Sequence, residues 1–173
     1  MGKPNIETLI DAKTIEARCA ELGKEITRDY ADKEIVIVPV LKGSFVFAAD
    51  LIRHIDLTCS IDFLGLRSYE GTESSGVVQI TSDLTKSVDG KHVLVVEDIV
   101  DTGLTMQYLL ENLETRKPAT VKTVSLLHKP ARSEVEVPID YLGFTIDDVF
   151  VIGYGLDFDQ KYRNLPYLGV VTD

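Results

Sequence analysis

The stretch from Val93 to Thr105, V-L-V-V-E-D-I-V-D-T-G-L-T, sets Glu97, Asp98 and Asp101 directly before a Thr-Gly-Leu-Thr turn. Acids this close repel one another and are costly to bury without a cation or hydrogen-bond donors nearby. The residues that follow have the opposite character. Thr102, Gly103 and Thr105 stand where a helix begins, so hydroxyls, unpaired amides and the helix N-terminus can grip a terminal phosphate. Gly103 lets the backbone approach closely. Acids beside an anion cradle suit a polyphosphorylated sugar, with Mg²⁺ mediating between the negative groups. Alone, D-T-G-x-T also serves as an ordinary helix cap. The added E-D-x-x-D has little structural justification and tips the reading toward chemistry.

Four further segments carry residue types of interest. Leu41-Lys42-Gly43-Ser44 reads as a strand end, a turn and a helix cap. Arg67-Ser68-Tyr69 leads into a polar, small-residue stretch to Gly76, by composition a mobile loop. Leu127-His128-Lys129-Pro130 closes a strand, and a Lys before Pro is usually a solvated surface residue. Val149 to Asp157, followed by Lys161-Tyr162-Arg163, reads as a strand, a Gly-containing turn and an acidic loop. None of the four identifies a function by its residue types alone.

The elements that must position these residues follow from periodicity. Asp11 to Tyr30 has helical spacing with Asp11 as cap, and Glu34 to Val40 is a continuous apolar strand. A helix follows from Phe45 to His54, then strands over Ser60 to Leu66 and Val77 to Thr81. Asp89-Gly90 is a turn before a buried strand from His92 to Val96, and Met106 to Leu113 is the next helix. Val121 to Leu127 is a further strand, with short strands at Val149 to Ile152 and Leu168 to Val171. This alternation predicts an α/β fold with a mainly parallel sheet. The N-terminal helix and C-terminal segments would cap the sheet's carboxyl edge, where ligands bind in such folds. The loops beginning at Lys42, Glu97 and Lys129 are therefore expected to converge.

Composition narrows the function class. The 173 residues suit a single domain, and 45% hydrophobic with 27% charged residues is ordinary for a globular chain. A net charge of −10 argues against nucleic-acid or acidic-membrane partners. Any phosphate site must then make its own positive potential from amides, Lys, Arg or metal. Cys19 and Cys59 fall in no metal-binding spacing and read as reduced thiols. No apolar run reaches the length of a membrane span and the first residues lack a signal-peptide core, so a cytoplasmic protein is expected.

The Val93 to Thr105 block resembles the phosphoribosyl-pyrophosphate signature of type I phosphoribosyltransferases, and its E-D-I-V-D-T-G form is similar to the 6-oxopurine branch. The resemblance, to bacterial-size hypoxanthine-guanine enzymes, extends over nearly the whole chain. It implies the family's α/β fold: a mainly parallel β-sheet core flanked by helices, within a single domain 1–173. A small hood would come from roughly residues 1–15 and 140–173.

It also implies roles. Glu97 and Asp98 would hold the ribose hydroxyls, directly or through Mg²⁺, and Asp101 would handle the proton on purine N7 as general base. Asp101, Thr102, Gly103, Leu104 and Thr105 would wrap the 5′-phosphate. Relatives often carry a longer or basic side chain at position 104, so Leu104 leaves that grip to amides and hydroxyls. Lys42 and Gly43 would present amides to pyrophosphate, often after a cis peptide, and Arg163 would neutralise that leaving group. Ser68 and Tyr69 would ride on a closing lid. Lys129 would donate to purine O6, Phe150 would stack on the ring with Ile99 on its other face, and Val151 would read the ring edge. Asp157 would hold a second Mg²⁺, and carbonyls near Val151 and Asp157 would set the fate of a guanine amino group.

The substrates implied are phosphoribosyl pyrophosphate and a 6-oxopurine, and the assembly a homodimer or homotetramer. A xanthine-preferring relative is the nearer alternative. A non-catalytic regulator of the same fold, binding phosphoribosyl pyrophosphate or RNA, would be expected to lose Asp101 or Lys42-Gly43, or to gain a basic face.

Overall fold

Alternating apolar side chains on two central strands build the core on both faces of one sheet. In β2 (Ile35–Leu41) and β6 (His92–Val100), Ile35, Ile37, Leu94 and Val96 pack to one side, and Val36, Val38, Val93 and Val95 to the other. The first side receives α1 (Ala12–Asp29) and α2 (Phe45–Ile52), through Ile15, Leu22, Ile26, Phe47 and Leu51. The second receives α3 (Leu104–Glu114), through Met106, Leu109 and Leu113. Asp11 caps α1 as its sequence predicts, accepting from Thr14 N at 2.8 Å. The computed structural model describes residues 4–71 and 74–172, and the side chains of these outside 69–77.

The remaining strands are β1 (Asn5–Ile10), β3 (Cys59–Ile61), β4 (Leu64–Gly71), β5 (Ser74–Ser82), β7 (Thr120–His128), β8 (Tyr141–Thr145), β9 (Val151–Ile152) and β10 (Leu168–Thr172). Among the described residues the main sheet has seven strands, ordered β5-β4-β2-β6-β7-β8, with β3 beside β2. All its pairings are parallel except β4 with β5. A second, antiparallel sheet joins β1, β10 and β9. It is built from N- and C-terminal segments of the chain. Among the described residues no helix is long and apolar enough to cross a membrane.

Several boundaries differ from expectation. Tyr141–Thr145, grouped with the hood on sequence, pairs in parallel with β7 and extends the main sheet instead. α1 packs on the core against α2, so the N-terminal share of the small sheet is β1. The polar stretch from Ser68 to Gly76, expected as a loop, is largely ribbon: Ser68 pairs with Val78, Tyr69 with Val77 and Gly71 with Ser74. Cross-strand backbone bonds outweigh the weak strand preference of these small residues there.

Candidate active site

β6 delivers the acids. It runs four residues beyond the expected Val96, because its pairing with β7 continues from Glu97↔Ser125 to Val100↔His128. Glu97 and Asp98 are therefore held on a strand, and the loop starts only at Asp101. Glu97 is buried, at 7% exposure. Burial, and next the Asp98 carboxylate beside it, push the Glu97 carboxyl well above the usual carboxylate range. Asp98 accepts from Ile99 N at 2.9 Å through Oδ1.

Two other segments close on these acids. After β2 the Leu41–Lys42 peptide is cis, and Gly43 lies so near Asp98 that a Cβ on it would sit 1.7 Å from Oδ2. A Cβ on Gly155 would in turn sit 2.2 Å from the Gly43 carbonyl oxygen. The turn after β2, the end of β6 and the hairpin after β9 thus meet backbone to side chain.

At the start of α3, Gly103 adopts φ 88°, a left-handed conformation that favours glycine, and a Cβ there would meet Val135 O at 2.5 Å. The segment after β7 braces this loop. Lys129 N donates to Val100 O (3.0 Å), and Glu134 N and Val135 N both donate to Thr102 O (2.9 and 3.2 Å). Arg132 Nε reaches to 2.8 Å from Asp101 Oδ1. That oxygen is buried and receives no aligned hydrogen bond, so the ion pair is its compensation. Lys129 is itself buried, with the carboxylate of Asp148 4.0 Å from its ammonium.

The hairpin following β9 supplies the rest. Asp157 pairs with Arg163 at 3.0 Å and accepts from Gln160 N at 2.8 Å. Gln160 Oε1 accepts from Arg163 Nη2 (3.1 Å) and from Lys42 Nζ (3.3 Å), tying the hairpin to the turn after β2. Tyr154, Asp159, Gln160 and Tyr162 all have positive φ, from 49° to 72°. Four such residues in one hairpin hold local strain of the kind that gathers at ligand sites. Phe150 stays 55% exposed, with its ring 5.8 Å from Phe158, edge to face.

Two cavities result. One, about 230 Å³, is lined by Glu97 to Gly103, Thr105 and Met106. The other, about 220 Å³, is lined by Asp98, Ile99, Asp101, Lys129, Phe150, Val151, Leu156 and Asp157. They share Asp98, Ile99 and Asp101, so the acids and anion cradle of one open onto the Lys and aromatic of the other. The expected convergence of the three loops is present. Leu104 begins α3 and Ser68 lies exposed on β4, while the side chain of Tyr69 falls outside the described residues. Sequence reasoning passed over Arg132, Asp148, Phe158 and Gln160. A turn written Pro-Ala-Arg and an acidic loop carry no local signal of what they face.

Among the described residues no three acidic, His or Cys side chains gather closely enough to hold a metal alone. Glu97 and Asp98 nevertheless form a close acidic pair with one member buried. That donor set fits a hard divalent cation whose remaining ligands are water and substrate hydroxyls.

Comparison with known proteins gives a consistent result. Residues 5–159 match the phosphoribosyl transferase domain family. A hypoxanthine-guanine phosphoribosyltransferase of Dictyostelium discoideum is 51% identical over 172 residues, covering 96% of each chain. The hypoxanthine phosphoribosyltransferase of Haemophilus influenzae is 46% identical, over 99% of this chain and 98% of that one. The crystal structure of a hypoxanthine-guanine phosphoribosyltransferase from Bacillus anthracis superposes with a TM-score of 0.93 at 44% identity, covering 98% and 100% of the two chains.

Proposed function

The chain belongs to the phosphoribosyl transferase family, and we propose that it works in purine salvage as a hypoxanthine-guanine phosphoribosyltransferase. It transfers ribose 5-phosphate from phosphoribosyl pyrophosphate to N9 of hypoxanthine or guanine. The bond from ribose C1 to pyrophosphate breaks as the C1–N9 bond forms, through a loose transition state with positive charge on the sugar. The observation that carries this reading is the pair of cavities joined at Asp98, Ile99 and Asp101.

Each residue has a task set by its place. The loop from Asp101 through Thr102, Gly103, Leu104 and Thr105 holds the 5′-phosphate at the N-terminus of α3. Glu97 and Asp98 orient the ribose hydroxyls. The same two carboxylates would hold Mg²⁺, which would supply charge neutralisation for the pyrophosphate leaving group. Lys42, Gly43 and Arg163 bind that group, and Asp157 would hold a second cation. In the purine cavity Lys129 donates to O6; an amino group at that position, as in adenine, would leave a buried donor unpaired and be rejected. Phe150 and Ile99 sandwich the ring, Val151 reads its edge through the backbone, and Asp101 takes the proton from N7. Ser68 and Tyr69, on the β4–β5 ribbon, close over the reacting centre and exclude water.

The reading extends to a single catalytic domain over residues 1–173, a homodimer or homotetramer, and a cytoplasmic location. Release of pyrophosphate from phosphoribosyl pyrophosphate and Mg²⁺, measured with hypoxanthine, guanine, xanthine and adenine in turn, is the test. Hypoxanthine and guanine should be the good substrates. Preference for xanthine would reassign the acceptor, and silence with all four bases would leave a binding protein.

A further inference from the structure

Four charges of alternating sign run beside the purine cavity. Asp101 Oδ1 lies 2.8 Å from Arg132 Nε, Arg132 Nη1 lies 3.8 Å from Asp148 Oδ1, and the same oxygen lies 4.0 Å from Lys129 Nζ. Asp101 and Lys129 both line the cavity, whereas Arg132 and Asp148 do not. On a purine, N7 and O6 sit side by side on one edge, so the chain follows the edge that the two lining residues face.

Arg132 is placed there by construction. Pro130–Arg132 forms a single 3-10 turn, with Arg132 N donating to Lys129 O (3.1 Å) and Ser133 N to Pro130 O (3.2 Å). The flanking amides of Lys129, Glu134 and Val135 are bonded to Val100 and Thr102, on either side of Asp101. The turn therefore cannot shift without disturbing that loop. Its guanidinium meets the one carboxylate oxygen of Asp101 that is buried and lacks an aligned hydrogen bond.

We infer that Arg132 is a positioning residue for Asp101: it holds the buried oxygen and leaves the other aimed at N7, while Asp148 links this pair to the ammonium of Lys129. The inference rests on Asp101 and Lys129 facing the purine as proposed above. Arg132 itself touches neither substrate. Its effect is geometric, and a carboxylate displaced by about 1 Å can cost on the order of 100-fold in rate.

A mutant cycle read by steady-state kinetics with hypoxanthine tests it. Arg132→Gln should lower kcat roughly 10- to 100-fold while KM for phosphoribosyl pyrophosphate changes less than about 3-fold. Arg132→Lys should recover part of the loss, since an ammonium restores the charge without the planar fork. On an Asp101→Ala background, Arg132→Gln should change nothing further. Asp148→Asn, breaking only the longer contacts, should cost less than about 5-fold. A folded Arg132→Gln enzyme with normal turnover, or losses that multiply in the double variant, would overturn the positioning role alone. Full turnover in Asp101→Ala would overturn the assignment of Asp101 and the positioning role with it. If Arg132→Gln melts below the assay temperature, Arg132→Lys carries the same cycle, and additivity there is equally decisive.

Discussion

The half of the site proposed to hold the sugar phosphate and the half proposed to hold the purine are built in opposite ways. The first is one unbroken run, Glu97 to Thr105, at the end of β6 and the start of α3. The second draws Ile99 from β6, Lys129 from just after β7, Phe150 from just before β9, Val151 from β9 itself, and Asp157 from the hairpin beyond it. The first is set by a single strand–loop–helix and by glycine where the backbone must bend. The second exists only because β7 lies beside β6 and β9 of the small sheet comes to line the same cavity. Under the proposed function, chemistry common to many acceptors would sit in the run, and choice of acceptor would sit where separate segments meet.

That contrast can be broken or sharpened by substitution. The largest expected effect is Asp101→Ala, at the junction of the two halves. Turnover should fall about 100- to 10,000-fold, with the affinity for product nucleotide nearly kept; equal losses in rate and binding would remove Asp101 from the base role. Lys129→Ala should act on one half alone. Its kcat/KM for hypoxanthine should fall roughly 10- to 100-fold and the preference over adenine shrink, while KM for phosphoribosyl pyrophosphate holds. An unchanged base preference in competition assays would refute the O6 contact.

Gly103→Ala probes the contiguous half through its backbone. A Cβ at φ 88° and 2.5 Å from Val135 O should destabilise the fold by about 1–3 kcal/mol, read by urea denaturation. Phe150→Ala should do the reverse. Its half-exposed ring supports little of the core, so stability should stay within about 0.5 kcal/mol while KM for the base rises up to roughly 10-fold. Glu97→Gln has the smallest expected effect and the opposite sign. The folded carboxyl keeps its proton above the range where the unfolded one releases it, so the wild type loses stability as pH rises through that interval. The amide cannot titrate. In metal-free buffer at neutral pH the variant should melt slightly higher than the wild type, with the difference vanishing below the usual carboxylate range.

Legibility in the sequence followed the same divide. The acids and the Thr-Gly turn could be read because each neighbour constrains the next, and Asp11 could be read as a cap because capping is local. Three boundaries could not. β6 lengthens to Val100 only because β7 pairs with it that far, and the ribbon through Ser68 depends on its pairing with β5. β8 contains Gly143, a weak strand former, placed where a Cβ would strike Leu126 O at 2.3 Å; only the packing on β7 explains it. Arg132 and Gln160 look like solvated turn residues until their partners at positions 101 and 42 are in view.

By itself the sequence determined the α/β class, the run of acids following a central strand, and the Thr-Gly turn at the start of the next helix. Those are properties of short windows, where periodicity, charge and capping act between near neighbours. The tertiary structure alone decided that Gly43 backs against Asp98, that Asp101 belongs to both cavities, and that Arg132 steadies it from the next loop. These contacts join segments whose meeting depends on strand order and on burial of two opposed apolar faces, which no single window encodes.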